Sequence, residues 1–367
     1  MNHIKWFCLA KPQNDEYDSK IILELAHSKG YVRQQYPKHP TYFNTQIAML
    51  NDDSLSAYSG CVPAPYNHYN LKAGWEILSL WQAAFKQFRY LTESISIFIN
   101  TRLPVDSVTG SICGRIGNFG RTTITINGYV NFAEGLVHEM AHQKLWALGV
   151  DFNDSQKLIN NSPEQTYPSP IRYDCMRPMS AILHAQYSYT HVAALDIAIL
   201  QSTHLSEQDK IKVAKYLSSI LPKLEFGYKV IEDNVEADEA GVQFLDGLFS
   251  WLDDIFDQGY SLLEQLKIEP KPFIHPLLKQ ITPTYPCKRS DLQEHDLKDE
   301  LIIYSEEQEM GFSFNKSSKA IWELCDGEHT LNDIAEKIGQ SFGCSGNFFL
   351  EDIHTAVAQF RELGLLQ

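Results

Sequence analysis

The chain has 367 residues, 44% of them hydrophobic and 21% charged, which is room for two domains and the composition of an ordinary globular protein. Its 31 basic and 46 acidic residues leave a formal net charge of −15. That balance argues against nucleic acid as the main partner, because phosphates need a basic face, and against docking on an anionic membrane.

The first residues, Met1–Pro12, lack the apolar core and small-residue cleavage site of a signal peptide, and no stretch reaches the length of a membrane span. Cys8, Cys61, Cys113, Cys175, Cys287, Cys325 and Cys344 are far apart and form no CxxC pair. Each reads as a small buried hydrophobe in a reducing, cytoplasmic setting. Residues 1–70 are rich in Tyr, Asn and Pro, with a helix expected near Ser19–His27 and no recognisable chemistry.

From Asn70, residues Trp75, Leu78, Trp81, Phe85 and Phe88 recur at helical spacing. Ser94–Asn100 and Arg121–Asn127 alternate like strands, and Gly110–Gly120 between them suits a hairpin or a loop over a site. A helix follows from about Asn131, stopped by Gly149. Residues 151–178 read as a polar, Pro-rich loop. Further helices are expected at about Met179–Ser202, Ser206–Leu221 and on to about Leu266. The Pro-rich run Glu269–Pro286 reads as a linker. The expected division is therefore a domain over 1–268, a linker over 269–290 and a second domain over 291–367.

The sharpest signal is His138-Glu139-Met140-Ala141-His142. Two histidines four residues apart leave a helix on one face, so two imidazoles can hold one metal ion while Glu139 stands beside it. The competing reading is two ordinary surface histidines, but the amphipathic helix and the strands before it favour a metal site. The third ligand is open. A metzincin would need His where Leu148 stands. Glu164 lies in the Pro-rich loop, and neither Glu236 nor Glu239 has an Asp four residues on, as a gluzincin pattern would. His184, two turns into the next long helix, is the preferred candidate, with His191 behind it. A histidine on an apolar face is, however, often only a hydrogen-bonded core residue. Arg172 and Arg177 precede that helix, and either guanidinium could clamp a carboxylate.

The run GLVHEMAHQKLWAL at Gly135–Leu148, then Tyr167–Arg172, then Arg177-Pro178 through His184-Ala185, resembles the HEXXH-motif peptide-modification proteins that accompany ribosomally made, modified peptides (RiPPs). The resemblance covers about residues 130–200. It implies a non-haem oxygenase that uses Fe(II), 2-oxoglutarate and O2 to hydroxylate a side-chain β-carbon. His138, His142 and His184 would then be the metal ligands, and Arg177 or Arg172 the keto-acid anchor. This departs from the usual two-His, one-carboxylate triad, so Glu139 or a later acid remains an alternative ligand. The bare motif also allows a zinc peptidase with Glu139 as general base. A third possibility is a non-catalytic scaffold presenting a precursor to another enzyme.

In the last segment, Leu301–Tyr304 and Met310–Asn315 read as a hairpin, followed by a helix ending at Gly327. A second helix is capped by Thr330 and Asp333, and a third runs over Glu351–Leu363. This pattern resembles PqqD and related leader-recognition elements. The resemblance implies a winged-helix-like domain that takes a precursor's leader as an added strand, against Met310, Phe312 and Phe314 and the helix face of Ile353, Val357 and Phe360. Residues 288–367 hold 7 basic and 16 acidic side chains, a net −9, which excludes DNA and favours a basic leader, though an ordinary solvated face explains it equally. The expected class is α+β: a mostly helical HExxH domain with a small strand region, then the PqqD-like domain.

Overall fold

The computed structural model describes residues 4–43, 45–50, 60–102, 111–113, 119–152, 155, 157–172, 175–273, 275–276, 285–298, 300–305, 310–342 and 349–366. The chain is α+β and divides into two compact units, Met1–His275 and Pro276–Gln367.

The first unit begins with a 3-10 turn at Trp6–Leu9 and helix α1, Tyr17–Ser28. Its sheet is built from β1 (Ala48–Leu50), β2 (Cys61–Pro63), β3 (Ser94–Asn100), β4 (Ser111–Cys113) and β5 (Arg121–Thr125). β3 pairs in parallel with β1 and β5, β2 pairs antiparallel with the far end of β3, and β4 forms an antiparallel edge on β5. The Ser/Ile alternation of β3 suits a half-exposed strand, yet Ser94 to Phe98 are all buried. Being central, β3 has a neighbour on each side and cover on both faces, as parallel strands require. Most of Gly110–Gly120 lies outside the described residues; its described part supplies β4.

The apolar run after Asn70 forms two helices, α2 (Tyr69–Ser79) and α3 (Gln82–Leu91), which break at Leu80-Trp81. Helix α4 (Tyr129–Leu148) follows β5 and is the axis of the unit, with every residue from Leu136 to Leu148 buried except His138. Its polar side chains fasten it to its surroundings. Gln143 accepts from Gly120 N–H at 2.8 Å and donates to Arg121 O at 3.1 Å, which ties the helix to β5. Gly149 ends it at φ 104°, a left-handed conformation that suits glycine.

The expected loop at 151–178 contains a two-stranded ribbon, β6 (Thr166–Pro168) with β7 (Met176–Pro178). It leads into α5 (Met179–Gln201), which packs along α4, and then into α6 (Glu207–Asn234) and α7 (Glu239–Gln265). Helix α6 runs well past Leu221, although Pro222 lies inside it. Proline has no N–H for the carbonyl four residues back. Here Ser218 O accepts instead from Lys271 N–H at 2.9 Å. Phe273 and His275 also pack on Phe226, with ring centroids 5.4 Å away in each case. The start of the expected linker is therefore part of the first unit.

The other end of that linker belongs to the second unit, where Gly327 N–H donates to Pro286 O and Lys288 bridges Leu366. This unit holds an antiparallel sheet, β8 (Leu292–Asp296), β9 (Leu301–Ser305) and β10 (Met310–Phe314), in the order β10-β9-β8. Helices α8 (Lys316–Glu323), α9 (Leu331–Phe342) and α10 (Leu350–Glu362) complete it. A capping box opens α9: Asp333 N–H donates to Thr330 Oγ1 at 3.1 Å, and Thr330 N–H donates to the Asp333 carboxylate at 2.8 Å. Trp322 is fully buried at the centre of this unit's core. Strand β8, absent from the sequence expectation, reads LQEHD and is mostly exposed, so it lacks the apolar signature of a strand.

Candidate functional site

Helices α4 and α5 bring three histidines together. His138 Nε2 lies 3.0 Å from His142 Nε2, and His142 Nδ1 lies 3.0 Å from His184 Nδ1. His184 Nε2 is 3.1 Å from Val150 O. A carbonyl accepts only from N–H, so His184 carries its proton on Nε2 and presents the Nδ1 lone pair. His142 then donates Nδ1–H to His184, which leaves the His142 Nε2 lone pair facing His138.

Phe152 and Trp146 box the inner end, their rings 4.2 Å and 5.9 Å from that of His184. Burial in this apolar box disfavours the charged imidazoles: His184 is pushed down to about 3, His142 lies well below its usual value, and His138 is lowered less. The Arg177 guanidinium adds to the lowering of His142 and His184. All three rings are therefore neutral at pH 7, as metal ligation requires. His138 is half-buried and packs edge-on to Tyr189 at 5.1 Å, so it stands at the open end of the row.

The fit to a metal ion is partial. Two nitrogens 3.0 Å apart suit neighbouring ligands of one ion with bonds of about 2.1 Å and an angle near ~90°. His184 reaches His142 from the opposite ring nitrogen. Among the described residues no set of three His, Cys, Asp or Glu side chains is arranged to hold an ion. Glu139 is buried beside His138 and raises that imidazole's affinity for a proton. Glu236 and Glu239 are exposed where α6 meets α7, and Glu236 is held there by Asn161 and Asn160.

His191 turns the other way. Its Nδ1–H donates to Tyr187 O at 2.9 Å, and its Nε2 faces Lys144 Nζ at 3.5 Å. Lys144 and Asp18, both fully buried, form an ion pair at 3.8 Å behind the site. Arg177 is half-buried on β7, whereas Arg172 is exposed, its N–H on Ser169 Oγ at 3.1 Å. Two acids escaped the sequence reading: Glu134, one turn before His138 on α4, and Asp196 on α5, both buried. The signal for them was an acid within an otherwise apolar helical stretch.

In the second unit, Met310 is 53% exposed and Phe312 half-buried on β10, an edge strand of the sheet. Phe314, Ile353, Val357 and Phe360 are buried in the core, and the Phe314 and Phe360 rings stack at 4.5 Å. These four hold the platform up from inside. The accessible positions of this face are Met310 and Phe312 on the β10 edge and exposed α10 residues such as Thr355 and Gln359.

Residues 300–366 match the family of coenzyme PQQ synthesis protein D (PqqD). No curated protein matches the sequence. The second unit thus carries a PqqD-type recognition domain, which links the protein to the binding and modification of RiPP precursor peptides. Among the described residues no helix is long and apolar enough to cross a membrane.

Proposed function

We propose that the protein is a metal-dependent peptide hydroxylase that holds a precursor peptide by its leader. The leader adds as a strand along β10, while the core segment reaches the histidines of α4. The observation that carries the metal assignment is the His138–His142 pair, 3.0 Å apart through Nε2, with the Arg177 charge close by.

His138 and His142 would supply two ligands to Fe(II), and His184 orients His142 by accepting its Nδ1–H, the role of a supporting partner in metal sites. Arg177 would hold the distal carboxylate of 2-oxoglutarate, and Glu139 would orient a ligand or water. When bound, Fe(II) and 2-oxoglutarate supply the O2 chemistry. That chemistry would convert a C–H bond of the substrate residue to C–OH, with 2-oxoglutarate as the co-substrate that O2 oxidises.

One feature favours a second reading: β4 is a sheet edge packed against α4, a place where a peptide could lie for zinc-dependent cleavage with Glu139 as base.

The discriminating experiment adds Fe(II), then 2-oxoglutarate, to the metal-free full-length protein without oxygen and records the visible spectrum. A charge-transfer band that needs both additions, and is lost in His142→Ala and Arg177→Ala, supports the hydroxylase. Absence of the band in a protein that holds zinc tightly sinks it in favour of the peptidase.

A further inference from the structure

Helix α3 starts without a cap. Its N-cap residue, Trp81, makes no side-chain hydrogen bond to the helix, and no acid stands in the first turn. The first N–H groups of a helix have no partner inside it. Gln82 and Ala83, which carry two of them, line a cavity of about 370 Å³, within the size range of small-molecule sites. Ala194 and Ala198 of α5 form part of its wall, and their short side chains leave the space open. None of His138, His142 and His184 lines it.

A second, independent donor meets the same cavity. Trp251 of α7 is 6% exposed and lines it. Its indole N–H has no acceptor among the described residues, and it is not sealed from solvent as the orphan atoms of the core are. It therefore opens on the cavity. The Trp81 ring lies 6.0 Å from that of Trp251 at 41°. The two indoles make an angled apolar wall, with no parallel slot for a stacked base. Lys11 adds a third donor. Its Nζ meets Asp254 at 3.6 Å, with both side chains about half exposed, and such a pair contributes little and opens readily. Lys11 and Asp254 are the charged side chains on the wall. With the end of α3 included, the local balance is about half a positive charge. That admits one carboxylate and is too little for a phosphate dianion. An organic cation would find donors where it needs acceptors.

We propose that this cavity binds a carboxylate carried on an apolar body. The carboxylate accepts from the α3 terminus, Lys11 and the Trp251 N–H, and the body packs against the two indoles and Ile255. A small organic acid and the C-terminal residue of a peptide share this chemistry. None of these groups takes part in the hydroxylation proposed above.

The test titrates the full-length protein, without added metal, with phenylacetate and with phenylacetamide, which share a shape and differ in charge, and reads the heat of binding. The expected result is millimolar or tighter binding of phenylacetate, about tenfold or more tighter than that of the amide. Lys11→Met and Trp251→Phe should each cut that preference to about threefold or less while the thermal melt stays cooperative. Ala198→Leu, at a half-buried position of the wall, should fill the cavity and abolish binding of both probes. N-acetyl-Gly-Gly-Phe, with a free and with an amidated terminus, separates the two sources. The same preference for the free acid assigns a peptide terminus, and binding of phenylacetate alone assigns a free acid. Three results would overturn the proposal: equal or undetectable binding of the two first probes, a preference that survives both Lys11→Met and Trp251→Phe, or undiminished binding in Ala198→Leu.

Discussion

Lys144 stands two residues beyond His142 but faces away from it, into a fully buried ion pair with Asp18 at 3.8 Å. Gln87 and Gln13 N–H also donate to that carboxylate. Burial pushes the Lys144 amine down to about 8, with Asp18 opposing, and raises Asp18. A lysine that sheds its proton earlier in the folded state than in the unfolded one makes stability rise with pH. The window runs from about 8 to the ordinary 10.5. On the acid side the sign reverses. Folded Asp18 keeps its proton above its usual 3.8, so stability falls as pH rises from there through its raised value. The expected outcome, read from denaturant melts between pH 7.5 and 10.5, is a rise present in the native protein and absent from the double variant D18N/K144M. Lys144→Ala alone should cost about 3–5 kcal/mol by stranding Asp18, whereas the double variant should be neutral or more stable. The same residues show what the sequence conceals. The spacing of His138 and His142 is visible because it belongs to one helix. Lys144 and Asp18 pair across helices, and α4 is buried on nearly every face. No amphipathic stripe marks which polar group points where. His184 tests the same boundary: His184→Ala should retain one metal ion per protein molecule with about 10–100-fold weaker affinity if it orients His142. Complete loss of the ion would make it a ligand instead.

At the scale of elements, helix starts and stops were largely legible, because Gly149, Thr330 and Asp333 act through local chemistry. The exceptions are tertiary. Helix α6 continues through Pro222 since a segment some fifty residues later supplies the missing donor, and no local pattern reports that. Pro222→Ala should leave the thermal midpoint nearly unchanged. Lys271→Pro should lower it, because Ser218 O is then left without either partner at a cost of about 1–3 kcal/mol. The start of α7 makes a sharper case. Asp238 accepts from Gly241 N–H at 2.6 Å and from Leu158 N–H at 3.1 Å, so the loop after α4 is strapped to the α6–α7 turn. A Cβ at Gly241 would overlap the Leu158 carbonyl, which is backbone and cannot swing aside. Gly241→Ala should therefore cost about 1–3 kcal/mol or more. Because the strapped loop continues from Val150, whose carbonyl holds His184, metal affinity should fall with it. Measured together, unchanged metal affinity at reduced stability would separate the strap from the site.

At the scale of the whole molecule, the proposed function assigns recognition to the second unit and chemistry to the first. The apolar periodicity of α10 correctly marks a helix, but it selects Ile353, Val357 and Phe360, which are the buried face. A binding surface is what such periodicity leaves out, so only the edge position of β10, a property of the sheet, points to Met310 and Phe312. If the leader pairs there, tethering raises the local concentration of the core segment at the α4 histidines. It alters no group at the reacting centre. The double variant M310D/F312D of the full-length protein should therefore raise KM for a leader-bearing peptide at least tenfold and leave kcat within about twofold. On the same peptide stripped of its leader, native and variant proteins should behave alike. A fall in kcat on the leaderless peptide would show that the β10 edge acts on the chemistry itself. An unchanged KM on the full peptide would move leader binding away from this edge.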